Sequence, residues 1–309
     1  MDATLIGNKG FALRDPLAWD GFASLVREGE TLGYSPLFLP EIAGRDSLAA
    51  LSAIAGETEG IRLATGVIPM NSRSPFLTAM AAATVHERSG GRAILGVGTG
   101  GSVKGALQEL EGLVRDLRSW LNGGEARGRR LSLLLPSPVP VWVSALGPNA
   151  IDLAARVADG VILNWCTPER VRQAREQIGL AATRAGRDPS DVTIAVYVRA
   201  NVEGGDSPAA ALRAAAGEYA SYPAYARQFD LMGLGDLAQE AAAAHAAGRT
   251  ADVPEAFVRS LAITSLDEAG PRLAAFRDAG ADLPVVYPVT TGSDAGRSIR
   301  STIESLADA

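Results

Sequence analysis

Glycines cluster in AILGVGTGGSVKG, where Gly96, Gly98, Gly100 and Gly101 stand between a short apolar segment and a helical one. Glycines at such a junction let backbone N–H groups approach a phosphate at a helix N-terminus, where the helix dipole favours an anion. The segment follows the fourth predicted strand, and no acidic residue ends the next strand, which argues against a dinucleotide fingerprint. These glycines therefore predict either an anion site or a tight turn without a ligand.

A second predicted strand end is built in the same way. In VWVSALGPNAIDLAARVADG, Gly147 and Pro148 separate an apolar segment from an amphipathic one. Proline suits the first turn of a helix, because the N–H group that it lacks has no partner there. Ser144, Leu146 and Gly147 offer hydroxyl or N–H donors. Two neighbouring strand ends of this kind favour one shared anion pocket over two unrelated turns.

Few side chains near the predicted strand ends can move protons. His86 and His245 lie in alanine-rich helical segments and are expected to pack within or between subunits. Cys166 follows the sixth predicted strand with no base beside it, so we do not expect it to be a nucleophile. Arg73 and Lys104 are available as cations for an acidic ligand tail. Such a site suits a reaction whose difficult step is carried by a bound cofactor.

The composition excludes several classes of function. The chain has 29 Lys and Arg against 35 Asp and Glu, a net charge of −6, which argues against a basic surface for nucleic acid. One cysteine and 2 histidines among 309 residues cannot build a zinc cage or an internal disulfide. We find neither a signal-peptide pattern nor an apolar run near the roughly 20 residues of a membrane span. We therefore expect a cytoplasmic protein that acts on a small molecule, without metal, membrane or nucleic-acid partners.

Short segments rich in valine, isoleucine and leucine alternate with longer alanine-rich amphipathic segments. This pattern is typical of repeated βα units around a parallel sheet. Eight such units favour a closed (β/α)8 TIM barrel of the α/β class over an open sheet. The expected strands are residues 3–7, 36–39, 62–67, 93–97, 141–144, 160–163, 192–198 and 283–287.

The unit before the last predicted strand is irregular. The long stretch between residues 198 and 283 predicts a helical insertion beside the barrel mouth, with helices over 221–230, 237–247 and 267–279. Because no linker or low-complexity segment interrupts the pattern, residues 1–309 are expected to form a single domain. The other predicted helices are residues 16–32, 47–57, 75–89, 103–121, 148–158 and 168–184, with a long helical region from 208 onward.

The chemistry of a barrel of this kind sits where strands end and βα loops begin. The prediction places Asn8 and Lys9 after the first strand, Glu41 after the second and Arg199 after the seventh. These polar side chains are few compared with the acid and base that hydrolases and lyases need at their sites.

Four segments resemble the bacterial luciferase-like monooxygenase superfamily, and within it the oxidoreductases that use coenzyme F-420, an 8-hydroxy-5-deazaflavin. They span nearly the whole chain in the expected order. The resemblance implies a barrel, a homodimer and a cofactor that lies across the C-terminal mouth. The segments are IRLATGVIPMNSRSPFLTAMAAATVHERSGGRAILGVGTGG, PVWVSALGPNAIDLAARVADGVILN, RQFDLMGLGD and DLPVVYPV.

The resemblance also implies roles for individual residues. A bulge with a non-proline cis peptide, here Gly66-Val67, would press on one face of the cofactor ring at the end of the third strand. The glycines after the fourth strand would follow the cofactor tail, and those after the fifth would meet its phosphate. The expected cofactor-binding residues are Gly66, Val67, Ile68, Gly98, Thr99, Gly100, Ser144, Leu146, Gly147, Pro148, Asn164 and Trp165.

Two departures from the family pattern narrow the expected activity. The sugar-phosphate dehydrogenases of the family carry an Asp-His pair after the second strand and a Glu after the glycines of the fourth. This chain has Pro40-Glu41 and Gly101 at those places, so we do not expect that activity. Glu41 is the one carboxylate expected near the ring, and Glu41 and Asn8 are the candidate catalytic residues.

Three functions remain open on the sequence. The first is hydride transfer between coenzyme F-420 and a small organic substrate, with the protein supplying orientation and a dry pocket. The second is an FMN-dependent monooxygenase of the same fold, because the two cofactors share a ring shape and a phosphate. The third is a barrel that binds a flavin-like ligand without turning over a substrate.

Overall fold

The computed structural model describes residues 7–14, 17–101, 105–203, 205–290 and 294–309. Eight parallel strands close into a barrel, because the last barrel strand pairs with both the first and the seventh. The predicted α/β class and the TIM barrel are confirmed. The barrel strands are β1 (Gly10–Ala12), β2 (Leu37–Leu39), β3 (Leu63–Thr65), β5 (Ala93–Gly98), β8 (Val141–Ser144), β9 (Gly160–Asn164), β10 (Thr193–Ala200) and β12 (Leu283–Pro288).

Helices surround the barrel, and four short strands supplement it. Pro75, Pro148 and Pro168 each open a helix at its first turn, as the sequence predicts. The helices are α1 (Trp19–Thr31), α2 (Ser47–Ile54), α3 (Pro75–Arg88), α4 (Ala106–Leu121), α5 (Pro148–Val157), α6 (Pro168–Arg184), α7 (Asp206–Ala220), α8 (Pro223–Leu231), α9 (Gly235–Ala246), α10 (Glu255–Leu261), α11 (Leu266–Asp278) and α12 (Ala295–Ser305). The short strands are β4 (Ile68–Pro69), β6 (Glu125–Ala126), β7 (Arg129–Arg130) and β11 (Ala262–Ile263).

The predicted helical insertion before the last strand is confirmed. Helices α7 to α10 lie between β10 and β12 and share their own apolar core, which includes Phe229 and Phe257 with ring centroids 5.0 Å apart. After α10, the short strand β11 pairs in parallel with the end of β10, where Arg199 lies opposite Ala262. The insertion is thereby joined to the C-terminal end of a barrel strand.

The first barrel strand lies later in the chain than predicted. It is Gly10–Ala12 rather than residues 3–7, most of which lie outside the described residues. Lys9 was expected after the first strand at the mouth, but it is buried and its Nζ donates to the Leu306 carbonyl at 2.6 Å. Asn8 and Lys9 therefore precede β1 at the N-terminal end of the barrel, opposite the mouth.

The third barrel strand is broken where the sequence predicts a bulge. Strand β3 ends at Thr65, and β4 resumes at Ile68 on the neighbouring strand β5. Thr65 Oγ1 accepts from the Gly96 N–H at 2.7 Å and donates to the Gly96 carbonyl at 3.0 Å. The Gly66 N–H still donates to Leu39 of β2. One hydroxyl therefore bridges the break.

The expected cis peptide at Gly66-Val67 is wrong. Among the described residues the cis peptide bond is Ser35-Pro36. Glycine at position 66 instead allows the chain to pass close to the segment after β2. A Cβ there would lie 2.7 Å from the backbone nitrogen of Pro40.

Large aromatic side chains fill the barrel interior. Phe38 packs between Trp142 and Tyr197, with ring centroids 5.9 Å and 5.5 Å away, and Tyr197 packs edge-to-face on Tyr287 at 5.4 Å. Gly160 makes room for this packing, because a Cβ there would lie 2.7 Å from the Trp142 ring. The lower barrel is thus a packed core, and the open space lies above it.

None of the described helices is both long enough and apolar enough to cross a membrane.

Two glycine substitutions test this packing. Gly160→Ala should lower the free energy of unfolding by about 2 kcal/mol, because the rigid Trp142 ring cannot yield to the new methyl group. Gly179→Ala is the matched control: it lies within α6 with nothing within 4 Å of its Cβ position. The control should leave stability unchanged or raise it by up to about 1 kcal/mol, since alanine favours a helix. Urea unfolding measures both; equal effects of the two substitutions would contradict the packing.

Candidate functional site

A cavity of about 560 Å³ opens at the C-terminal ends of the barrel strands. This volume lies in the range of small-molecule and cofactor sites, and the position is where barrel enzymes carry their chemistry. One wall comes from the ends of the third, fourth and fifth barrel strands, and the other from the seventh and eighth strands with the insertion. The first wall includes Val67, Pro69, Thr99, Gly100, Ser144 and Leu146. The second includes Tyr197, Arg199, Tyr219, Tyr222, Tyr225 and Tyr287.

Gly98 brings the parts of the first wall together. A Cβ on Gly98 would lie 2.3 Å from Ser144 Oγ and 2.8 Å from Val67 Cγ1. Gly100 has a φ of +69°, and a Cβ there would lie 2.7 Å from Pro69. This wall is therefore smooth, because glycine leaves no side chain at the points where the strand ends lie closest together.

Glu41 lines the cavity, but its carboxylate is already engaged. Its Oε2 accepts from Ser47 Oγ at 2.8 Å and lies 3.1 Å from Arg73 Nη1. Arg73 Nη1 also pairs with Asp46 at 2.7 Å. These contacts fix the position of the Glu41 carboxyl group at the edge of the cavity. They also correct the expectation that Arg73 is available for a ligand, because it is already paired with two acidic side chains.

Arg199 stands in a cluster of aromatic rings on the second wall. Its guanidinium carbon lies 3.5 Å from the ring centroid of Tyr287, 5.1 Å from Trp165 and 5.5 Å from Tyr219. Arg199 is only 3% exposed, and its Nη1 has no hydrogen-bond partner. The aromatic faces stabilise the charge through cation–π contacts.

Two phenols of this wall, those of Tyr197 and Tyr225, stay protonated near neutral pH. Burial raises the pKa of Tyr197 and of Tyr225, because the phenolate would have to form away from water. Tyr225 Oη accepts from the Asn164 amide at 2.7 Å, whereas Tyr197 Oη has no hydrogen-bond partner. Tyr197 is therefore a neutral donor that faces the barrel interior.

Of the three residues read as non-catalytic in the sequence, Cys166 and His86 are buried and His245 is partly exposed. Cys166 is 2% exposed, and burial raises the pKa of its thiol to about 12. The thiol therefore stays protonated near neutral pH. His86 is fully buried in α3, and its Nε2 lies 3.0 Å from Ser137 Oγ.

The structure brings half of the expected site residues to the cavity lining. Its lining includes Glu41, Val67, Thr99, Gly100, Ser144, Leu146 and Asn164. Gly66 and Gly98 lie behind this surface, where they permit the close approaches described above. Ile68 is 1% exposed and belongs to the core between barrel and helices, while Gly147 and Pro148 lie at the start of α5, outside the lining.

The structure contradicts the expected positions of two residues, and a third residue lies outside the described part of the chain. Asn8 is exposed at the end of the barrel opposite the cavity, so the structure contradicts its expected place among the catalytic residues. Trp165 is fully buried and packs into the core of the insertion, 5.2 Å from the Tyr219 ring, rather than lining the cavity. Lys104 lies outside the described residues.

The tyrosines of the insertion were missed in the sequence. Tyr219, Tyr222 and Tyr225 stand three residues apart, and all three reach the cavity. Three aromatic residues at helical spacing were the available signal, although such a stripe more often packs in a core. Within the described residues, no group of three or more His, Cys, Asp or Glu side chains could hold a metal ion.

The family model described as luciferase-like monooxygenase matches residues 4–283 of the chain. A 5,10-methylenetetrahydromethanopterin reductase from Methanolobus tindarius is 31% identical over 193 residues, which are 57% of this chain and 59% of that protein. The chain covers 59%, 53% and 64% of the lengths of three curated relatives that it matches.

Two solved structures share the fold over almost the whole chain. One is a coenzyme F-420-dependent tetrahydromethanopterin reductase from Methanopyrus kandleri, with a TM-score of 0.75, 19% identity and 98% of both chains covered. The other is an F-420-dependent secondary alcohol dehydrogenase in complex with an F-420–acetone adduct, with a TM-score of 0.77 and 16% identity. It covers 97% of this chain and 99% of that one.

The protonation of Cys166 gives a testable prediction. A thiol reagent at about pH 8 should leave the folded protein unlabelled, because the thiolate is the reactive form. The unfolded chain should take up one label. As the pH rises above about 8.5, the unfolded thiol ionises while the folded one does not, so the free energy of unfolding should fall. The Cys166→Ala variant should fold and should take up no label when unfolded. Rapid labelling of the folded wild-type protein would contradict the prediction.

Proposed function

The chain belongs to the luciferase-like monooxygenase family, and on that premise we propose that it is an oxidoreductase that transfers a hydride between coenzyme F-420 and a small organic substrate. The observation that carries the proposal is the cavity at the barrel mouth. Its described lining holds one acidic side chain, Glu41, and one basic side chain, Arg199. Such a site orients a ligand but has little acid–base equipment of its own, which fits a reaction whose difficult step is carried by a cofactor. The reductase and dehydrogenase relatives, whose names state F-420 or a pterin substrate, support the same choice.

The residues of the first wall fit a flat ring with a phosphate-bearing tail. Val67 would back one face of the ring, with Gly66 and Ile68 holding the bulge in place behind it. Gly98, Thr99 and Gly100 would follow the tail, because the missing side chains leave backbone that a ligand can approach closely. Ser144, Leu146, Gly147 and Pro148 would meet the phosphate near the first turn of α5, and Asn164 would complete this side.

The coenzyme, when bound, supplies the ring carbon that gives or takes the hydride. The chain's own residues hold the substrate against the open face of the ring and exclude water. Tyr197 and Tyr225 keep their protons and can orient an oxygen of the substrate. Glu41, positioned by Arg73 and Ser47, is the one acidic side chain of the described lining that can exchange a proton with a bound ligand.

The assembly and location belong to the same proposal. We propose a single domain over residues 1–309 that acts in the cytoplasm as a homodimer. The exposed apolar side chains Leu77 and Met80 on α3, and Leu134 in the loop before β8, support a protein contact on that side of the barrel.

The alternative is an FMN-dependent monooxygenase, which the description of the matching family favours. A binding titration with coenzyme F-420 and with FMN separates the two. We expect F-420 to bind and FMN to bind weakly. Tight FMN binding with oxygen consumption and no affinity for F-420 would overturn the proposal. Binding without turnover across a broad substrate screen would favour a non-catalytic flavin-binding barrel.

Gly98→Ala tests the placement of the cofactor on the first wall. The new methyl group must displace Ser144 and Val67 into the cavity, so the affinity for F-420 should fall about tenfold. Gly112→Ala, on α4 with nothing within 4 Å of its Cβ position, is the matched control and should keep wild-type affinity. Fluorescence titration measures both. Equal affinities in the two variants would contradict this placement.

Glu41→Gln tests the remaining candidate catalytic residue. If the carboxylate takes part in proton transfer, turnover should fall about a hundredfold or more. The affinity for F-420 should change by less than twofold, because the amide keeps the shape of the side chain. Steady-state kinetics over a pH series measures the first effect and titration the second. Full turnover in the variant would show that Glu41 only anchors Arg73.

A further inference from the structure

Arg199 is a buried cation without an acidic partner in the described part of the chain. It is only 3% exposed and forms no ion pair there, and its Nη1 has no hydrogen-bond partner. Arg73, a half-buried cation beside the cavity, is by contrast paired with Glu41 and Asp46. Burying a charge is costly unless it is paired and hydrogen-bonded, so a lone buried arginine calls for an explanation.

The aromatic rings around Arg199 account for only part of its stabilisation. Tyr287, Trp165 and Tyr219 present rings to the guanidinium at centroid distances of 3.5, 5.1 and 5.5 Å. Cation–π contacts of this kind offset some of the desolvation cost. The Nη1 donor still has no hydrogen-bond partner, so it is left for an acceptor that enters the cavity.

A second unpartnered donor lies beside the first. Tyr197 precedes Arg199 by two residues on β10, and alternate residues of a strand share one face. Tyr197 is 5% exposed, its Oη has no hydrogen-bond partner, and burial keeps it protonated. Both residues line the cavity. Two donors, one of them charged, therefore converge on the same space.

We propose that Arg199 and Tyr197 bind a carboxylate of the organic substrate. The assignment to the substrate rests on the function proposed above, whereas the anion site rests on the two donors. Arg199 is the one basic side chain among the described residues of the lining, and the charge of Glu41 is already balanced. The second wall therefore carries one positive charge that has no acidic partner among the described residues. It suits a monoanion, and a planar carboxylate matches the arginine fork.

The order of the barrel strands places this anion site on the substrate's side of the cavity. In the closed ring of eight, β10 stands four strands from β3, so Arg199 faces the wall that carries Val67. Val67 is the residue proposed to back the cofactor ring. A group held by Arg199 would therefore lie toward the open face of that ring, where the substrate must bind.

Benzoate and benzamide, which differ in charge but hardly in shape, serve as probes on the cofactor-free full chain. Isothermal titration should show that benzoate binds wild type at least tenfold more tightly than benzamide. Arg199→Met should abolish the preference, Arg199→Lys should keep part of it, and Tyr197→Phe should weaken benzoate severalfold. Arg115→Met, which removes an exposed arginine from α4, is the matched control and should keep the preference. Equal binding of the two probes to wild type, or an unchanged preference in Arg199→Met, would overturn the anion site.

Two further arms test the class and the source of the anion. Phenyl phosphate, a dianion near neutral pH, should bind more weakly than benzoate; tighter binding would overturn the choice of a carboxylate. Benzoate should still bind when F-420 is saturating; displacement of benzoate by F-420 would show that the cofactor provides the anion. If F-420 fails to bind at all, the function proposed above fails, while the benzoate preference still decides the anion site.

The stability of the free protein separates a binding role from a structural one. Because Arg199→Met removes an unpaired buried charge, its Tm should equal or exceed that of wild type. A Tm that falls by more than about 3 °C with the benzoate preference intact would mean that Arg199 only packs the insertion onto the barrel.

Discussion

The close approach of three strand ends at the barrel mouth is the constraint on which the site depends. The third barrel strand ends at Thr65 and pairs with β5 again from Ile68, and the Thr65 hydroxyl spans the break through two hydrogen bonds to Gly96. The break fits only because Gly66 and Gly98 lack the Cβ atoms that would meet Pro40 and Ser144. Val67 reaches the cavity as a result, so the wall that faces a flat ligand is set by absent side chains.

Charge is distributed unevenly between the two walls of the cavity. On one side Glu41 and Arg73 balance each other, with Asp46 and Ser47 completing the network. On the other side the charge of buried Arg199 faces aromatic rings and has no acidic partner among the described residues. Electrostatic interactions are stronger away from water, and a single cation there can orient a ligand. The cavity therefore has few titratable side chains, but the charge of Arg199 can still orient a ligand.

The helical insertion serves the site as well as covering it. Its α7 and α8 region brings Tyr219 and Tyr225 against Arg199 and Asn164, while Trp165 anchors the core of the insertion to the sixth barrel strand. Gln228 fixes this junction by donating to the carbonyls of Asn164 and Trp165 at 2.8 Å and 2.7 Å. The barrel provides one wall, and the ends of β10 and β12 form the other together with the insertion.

The sequence by itself determined the periodic elements, since the apolar periodicity and helix-opening prolines of the βα units are local signals. It also located the glycine-rich strand ends and the insertion before β12. It misplaced β1 and put Lys9 at the mouth. The Lys9 ammonium group instead donates to a backbone carbonyl at the end of α12, nearly three hundred residues away, and no local pattern predicts that contact. It could not show that Arg73 is balanced and Arg199 is not, or that Trp165 turns away from the cavity while three tyrosines turn toward it. These outcomes depend on which side chains meet across the barrel mouth, and only the tertiary structure decides that, because the partners lie on different strands and on the insertion.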